Sequence, residues 1–175
     1  MNVVADVLKD AIGSILDRDL RALRREVEAY PDEADLWRLV PGTSNSGGTL
    51  VLHLAGNLQH FFGACLGHTG YVRDRAGEFT RRNVGRAELL HEIEAARAAV
   101  RAGLGRLTPS QLEAEFPEAV ADARLTTGEF LAHLATHCAY HLGQVDYHRR
   151  VVTGSETTIG AMRSGELSSA KPAVK

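Results

Sequence analysis

The stretch from Thr126 to Arg150 carries four of the eight histidines of the chain: His133, His137, His141 and His148. At about 100° per residue on an α-helix, these histidines and Gln144 fall within roughly 80° of arc. An apolar stripe adjoins that arc and contains Leu131, Leu134, Cys138, Leu142 and Val145. The pattern therefore predicts a long amphipathic helix whose histidines border its buried face.

His137 and His141 are four residues apart, so their imidazoles can converge on one point from successive turns. Neutral imidazole is the commonest protein metal ligand, and this spacing supplies two such ligands from one helix. The alternative is a helix whose histidines are core or interface residues with satisfied hydrogen bonds. A metal site needs a third ligand from elsewhere in the chain.

A second helix is predicted from Thr49 to about Leu66, and it offers that ligand. Along it His53, Asn57, His60 and Ala64 share roughly 60° of arc beside an apolar face. Facing helices of a bundle can build a metal site in the core, so His53 would complete a three-histidine set. Three protein ligands leave open positions, as in a catalytic rather than a structural site. Asn57 and Gln144 are expected to fix the imidazole tautomers.

The rest of the chain predicts an all-α fold, a four-helix bundle with long crossover loops. Further helices are expected over residues 2–29 and 87–107, with a short turn after the capping box at Thr108. A second capping box, Thr126 with Glu129, is expected to start the last helix. We assign residues 1–152 to the bundle and 153–175 to a polar C-terminal tail, of which 164–175 is expected to be loose.

Composition and motifs exclude several classes of protein. A net charge of −2 and a pI near 6.4 give no reason to expect nucleic acid or an anionic membrane as a partner. No apolar run approaches a membrane span. Cys65 and Cys138 form no CxxC motif, and the N-terminus lacks a basic export signal, so a reducing cytoplasm is expected. HExxH is absent, which excludes a zincin protease. A di-iron carboxylate bundle needs two ExxH motifs, and only Glu88-Leu-Leu-His91 has that form.

Two sequence blocks resemble a known family. They are Leu-Val-Leu-His53-Leu-Ala-Gly-Asn57 and His137-Cys-Ala-Tyr-His141-Leu-Gly-Gln144. The second resembles the terminal signature of the DinB-like superfamily of damage-inducible and YfiT-type helical proteins. Blocks within 36–47, 70–75 and 146–150 resemble an uncharacterised bacterial branch of it. The resemblance covers about residues 2–152.

The resemblance implies an up-down-down-up bundle, a divalent metal (zinc or nickel) on His53, His137 and His141, and a homodimer. Some relatives are transferases or isomerases that use a low-molecular-weight thiol. The leading hypothesis is therefore a metal-dependent, thiol-dependent S-transferase or related enzyme acting on a small electrophile. The alternative is a non-catalytic metal-binding stress-response bundle.

Further residues are candidates for hydrogen bonds to the metal ligands or for contacts with a substrate. His60 and Tyr140 are possible proton carriers, although structural roles for them stay open. Helix geometry puts the start of the second helix near His53 and its end roughly 20 Å away. We therefore expect Trp37, in the segment before that helix, to lie nearer the open side of the metal site than Arg73 or Arg75 in the segment after it.

Overall fold

The structure, a computed structural model, describes residues 3–173. In this range the chain forms six α-helices: α1 (Val3–Glu28), α2 (Gly47–Leu58), α3 (Arg75–Thr80), α4 (Arg86–Arg106), α5 (Pro109–Glu113) and α6 (Thr127–Thr153). Short 3-10 helices cover Glu33–Trp37 and Ser164–Glu166, and a π-helical segment, Gln59–Leu66, continues α2.

The four main helices α1, α2, α4 and α6 pack as a bundle. Helix α1 packs against α4 and α6, and so does α2, so α1 and α2 occupy opposite corners. The apolar spacing explains this arrangement, because the predicted stripe of α6 is 0–1% exposed throughout. The all-α bundle predicted from the sequence is confirmed.

Helix α2 is buried along its whole length. Ser46 caps its N-terminus through a hydrogen bond from the Thr49 N–H. At its other end the Gly67 N–H donates to the Phe62 carbonyl, an i→i−5 bond of the π type. Helix α4 packs against this π-helical segment, and a Cβ at position 103 would collide with the Phe62 carbonyl, so only glycine fits there.

Helix α6 begins differently from the capping box expected at Thr126. The Thr126 side chain makes no capping hydrogen bond. The Thr127 N–H and hydroxyl instead donate to the Ala114 carbonyl, at 2.8 and 3.1 Å. An isolated antiparallel bridge between Glu115 and Thr126 fixes this arrangement. These hydrogen bonds to the end of α5 thus replace the predicted cap of α6. The capping box predicted at Thr108 is confirmed.

The C-terminal segment is not the loose tail expected for residues 164–175, as far as residue 173. Glu166 forms ion pairs with Arg21 and Arg25 of α1. The Ser168 N–H donates to the Ser14 hydroxyl at 2.7 Å. Ile159 and Ala161 pack against the core. The segment therefore lies along α1, and the proposed domain boundary at residue 152 stays a prediction.

Among the helices of residues 3–173, none combines the length and the apolar character that a membrane crossing requires.

Candidate metal centre

Three imidazoles from α2 and α6 converge on one point. The Nε2 atom of His137 lies 3.4 Å from Nε2 of His53 and 3.1 Å from Nε2 of His141. A tetrahedral zinc ion bound to imidazoles at 2.0–2.1 Å separates their nitrogens by about 3.4 Å. We call His53, His137 and His141 the triad. The two measured separations are close to those of a bound zinc ion, and the ligand atoms of all three residues lie within 4.8 Å of one another.

Hydrogen bonds at the far nitrogens set the tautomers of two triad members. Nδ1 of His53 lies 3.0 Å from a Glu78 carboxylate oxygen, and Nδ1 of His141 lies 2.6 Å from Oε1 of Gln144. Both oxygens accept, so each Nδ1 carries the proton and donates. In the neutral imidazole the Nε2 lone pair is then free, and it points toward the shared centre.

Glu78 reaches His53 because α2 has a glycine at position 56. A Cβ there would collide with the Glu78 carboxylate. Asp74 caps α3 by accepting from the Gly77 N–H, which places Glu78 over α2. Arg73 then binds the same carboxylate with two hydrogen bonds of 2.6 and 2.9 Å. Burial alone would raise the pKa of Glu78, but hydrogen bonds from His53 and Arg73 outweigh it and lower that pKa.

The electrostatics of His137 favour an unprotonated ring. Burial lowers the pKa of His137 to about 4, and the neighbouring imidazoles and Arg73 add to the effect. Burial also lowers the pKa of His141, although the bond to Gln144 opposes the shift. Nδ1 of His137 is buried and has no hydrogen-bond partner among the described residues. At neutral pH His137 and His141 therefore offer lone pairs to a cation rather than protons to an anion.

The triad lies at the edge of the core, within reach of solvent. His53 is buried, while His137 and His141 are partly exposed. Beside it is a cleft of about 400 Å³, which is large enough for a small molecule. Its walls include Gln144, Tyr147 and residues of the segment before α2. None of the triad histidines lines this cleft. Gln144 connects the cleft to the triad, because it lines the cleft and is hydrogen-bonded to His141.

The structure places the other candidate residues in different surroundings. Tyr140 is exposed beside His141, with ring centroids 5.2 Å apart. Asn57 is buried, but its Oδ1 has no hydrogen-bond partner within residues 3–173, and Glu78 takes the place expected for it next to His53. His60 contacts Glu118 and Cys65 instead of the triad.

The expected order of Trp37 and Arg73 is corrected. The Trp37 indole packs on Gly48 and donates to the Val84 carbonyl, so it braces the entry to α2. Arg73 instead reaches the triad through Glu78. The segment after the π-helical turns folds back over α2, which the axial distance along the helix does not reveal. The close approach of Glu78 to Gly56 marks the place where this segment covers α2.

A three-histidine cluster with oriented, unprotonated nitrogens fits a divalent metal ion. No curated protein and no solved structure matches the chain significantly. The family model described as the DinB superfamily matches residues 15–145, which include the triad, Glu78 and most of the bundle. The protein belongs to the DinB superfamily.

Proposed function

We propose that the protein binds one divalent metal ion on the triad and uses it to transfer a low-molecular-weight thiol to a small electrophile. The observation that carries this proposal is the convergence of the three Nε2 atoms at 3.1 and 3.4 Å. Hydrogen-bonded core histidines, the alternative reading, would each need a donor or acceptor match. Here the Nε2 lone pairs of His53 and His141 both face Nε2 of His137, which carries at most one hydrogen. At most one of the two contacts can therefore be a hydrogen bond.

The ligand set favours zinc or nickel. Imidazole nitrogens suit borderline divalent ions, whereas magnesium and calcium prefer oxygen ligands. An ion held by three protein ligands keeps an open position and lowers the pKa of a thiol or water bound there. Glu78 and Gln144 hold the imidazoles in the required tautomer, and Arg73 holds Glu78.

The cleft beside Gln144 is the proposed place for the small molecule. Its lining is mixed, with Val40, Leu50 and Val151 next to the polar Thr43 and Asn45. In the proposed reaction the thiol sulfur forms a bond to an electrophilic carbon, the leaving group departs with its electron pair, and the thiol proton passes to solvent. Tyr140 stands exposed beside His141 and is the candidate contact for the thiol.

Metal binding can be tested by measuring zinc and nickel stoichiometry and affinity for wild type, His137→Ala and His91→Ala. His91 is an exposed histidine on α4 and serves as a matched control. We expect His137→Ala to lose one bound ion per chain and His91→Ala to lose none. Equal stoichiometry in all three proteins would refute the triad as a metal site.

The activity is tested separately with the metal-loaded protein. A panel of small thiols, including glutathione, bacillithiol and mycothiol, is combined with small electrophiles, and loss of free thiol is followed. We expect turnover in wild type and none in His137→Ala. Metal binding without turnover by any thiol would instead support the non-catalytic stress-response bundle.

A further inference from the structure

A second group of metal-ligand side chains lies away from the triad. It consists of His60, Cys65 and Glu118. Nε2 of His60 lies 3.0 Å from a Glu118 carboxylate oxygen and 3.8 Å from Sγ of Cys65. Sγ of Cys65 lies 3.6 Å from the same oxygen. His60 and Cys65 are partly buried and Glu118 is exposed, so ions from solvent can reach the group.

The π-helical segment Gln59–Leu66 brings two of these side chains together. In an α-helix, residues five apart differ in direction by about 140°, so His60 and Cys65 would point to different sides. In the wider turn of a π-helix, whose hydrogen bonds join residues i and i+5, these two residues lie much closer to the same side. Such turns are often found at functional sites, which fits a ligand pair created by this one.

The buried side chain of Phe116 fixes the position of Glu118. Two residues earlier, Phe116 is buried against Phe61 and Phe130, with ring centroids 6.0 and 4.7 Å away. Its N–H donates to the Leu125 carbonyl at 2.9 Å. Because Phe61 follows His60 directly, docking of Phe116 on Phe61 brings Glu118 beside His60.

We propose that His60, Cys65 and Glu118 form a second divalent-metal site, suited to zinc or cobalt. A tetrahedral ion at 2.0–2.2 Å from N and O and about 2.3 Å from S separates its ligand atoms by about 3.4–3.6 Å. The three distances in the structure lie within a few tenths of an ångström of these values. The thiolate ligand selects against magnesium and calcium. This site is independent of the function proposed for the triad.

Charge balance favours a divalent ion at this site. The thiolate and the carboxylate together carry two negative charges, and neutral His60 adds none. Cys65 would bind as the thiolate, so binding releases its proton to solvent. Without a cation, burial and the Glu118 carboxylate raise the pKa of Cys65 to about 11, so the sulfur is not an activated nucleophile.

Cobalt(II) absorption tests the proposal, because a thiolate ligand gives an intense near-ultraviolet charge-transfer band that imidazoles do not. The reduced full-length protein is titrated with cobalt alone. We expect the band in wild type, in Cys138→Ser and in His137→Ala, and its absence in Cys65→Ser. Cys138 is the matched control because it is the other cysteine and is completely buried.

Glu118→Gln adds a variant at an exposed position, where folding is not at risk. We expect its cobalt midpoint to rise at least tenfold, and that of His60→Gln likewise. Absence of the band in wild type at a large excess of cobalt would overturn the proposal. So would a band that survives Cys65→Ser, or one that disappears with His137→Ala, because either result places the thiolate or the ion elsewhere.

Discussion

Glu78 acts on the triad through the far nitrogen of His53. Its carboxylate accepts from Nδ1 of His53 and from the Arg73 guanidinium, and it is almost fully buried. A fixed carboxylate behind a ligating imidazole raises the basicity of the ligand and holds the ring in place. Arg73 keeps that carboxylate charged, so two residues that do not touch the shared centre set its electrostatics.

Removing Glu78 should weaken metal binding without removing a ligand. In a Cys65→Ser background, where only the triad is expected to titrate, we predict that Glu78→Ala weakens zinc binding about 10–100-fold. The loss follows because His53 is no longer held in the Nδ1–H tautomer. Glu88→Ala is the control, since Glu88 is an exposed acid paired with Arg81 on the surface. Equal zinc affinity in both variants would show that Glu78 has no role at the site.

We predict that His137 makes the metal-free protein sensitive to acid. Its pKa is about 4 in the folded state, because of burial first and then the neighbouring imidazoles, against about 6.5 in an unfolded chain. Between these values the unfolded state binds more protons, so the free energy of unfolding falls as pH drops from about 6.5 to about 4. For this partly exposed group the loss is roughly 2–3 kcal/mol.

The measurement is denaturant unfolding of chelator-treated wild type and His137→Gln across that pH range. Glu26 has a raised pKa, so its effect on the free energy of unfolding over this pH range is opposite in sign to that of His137. Because Glu26 is present in both proteins, its effect cancels in the comparison, and the difference isolates His137. We expect the difference to change by that amount between pH 6.5 and 4. A constant difference would mean that His137 titrates normally.

The residues of the triad could be predicted from the sequence, whereas their supporting residues could not. Helical periodicity alone places His137 and His141 on one face, and the bundle fold brings His53 opposite. Glu78 and Arg73 reach the triad only because α3 folds back over Gly56, and that contact has no periodic signal. Asn57 was predicted to contact His53 because of its spacing on the helix, but Glu78 occupies that position.

The change of helix type after α2 alters which side chains meet. Helix α2 is α-helical up to Leu58 and is buried on all sides, not only on its apolar face. From Gln59 the chain is π-helical, which turns His60 toward Cys65 and Glu118. Sequence periodicity carries no sign of a π-helical turn, because the same apolar residues fit either helix type. His60 therefore lies beside Cys65 and Glu118, and its candidate role as a proton carrier or substrate contact stays a prediction.

The junction of α1 and α6 depends on a buried ion pair. Arg149 donates to Glu26 at 2.5 Å, and both side chains are almost fully buried. Burial raises the pKa of Glu26 to about 7 despite the opposing effect of Arg149, and the Asp146 carboxylate adds to the rise. One guanidinium thus serves two carboxylates, since Arg149 also contacts Asp146 at 3.3 Å.

We predict that Arg149→Leu destabilises the protein by about 3–5 kcal/mol, because it leaves Glu26 buried without a partner. The double variant Arg149→Leu with Glu26→Leu should recover most of that loss, since no buried charge remains. Urea unfolding measures both. Arg24→Leu, which breaks exposed pairs with Glu28 and Glu94, should cost less than about 1 kcal/mol. A double variant no more stable than the single one would contradict the argument.

The homodimer expected from the sequence stays a prediction. Apolar side chains that such an interface needs are exposed at the start of α1, at Val4 and Val7, and on α6, at Tyr147 and Val151. If the dimer forms through α6, Tyr147→Glu should convert it to a monomer in sedimentation experiments. A wild-type protein that sediments as a monomer at micromolar concentration would refute the dimer.

Metal binding to the native bundle should stabilise the whole molecule. An ion that binds only the folded state adds RT ln(1 + [L]/Kd), roughly 2.7 kcal/mol at a hundredfold excess over Kd. For a chain of this length, such a gain corresponds to roughly 5–10 °C in Tm. Because the triad joins α2 to α6, the ion acts on two main helices of the bundle. We therefore expect chelation of the metal-loaded protein to lower Tm by that amount.

The control for this last prediction is the same chelator already saturated with zinc, which should leave Tm unchanged. In Cys65→Ser the shift should persist, because the triad remains. In His137→Ala it should shrink to the part contributed by the site at His60, Cys65 and Glu118. A shift in His137→Ala as large as in wild type would mean that the stabilising ion binds elsewhere. A wild-type Tm insensitive to chelation would make the three histidines ordinary residues at the edge of the core.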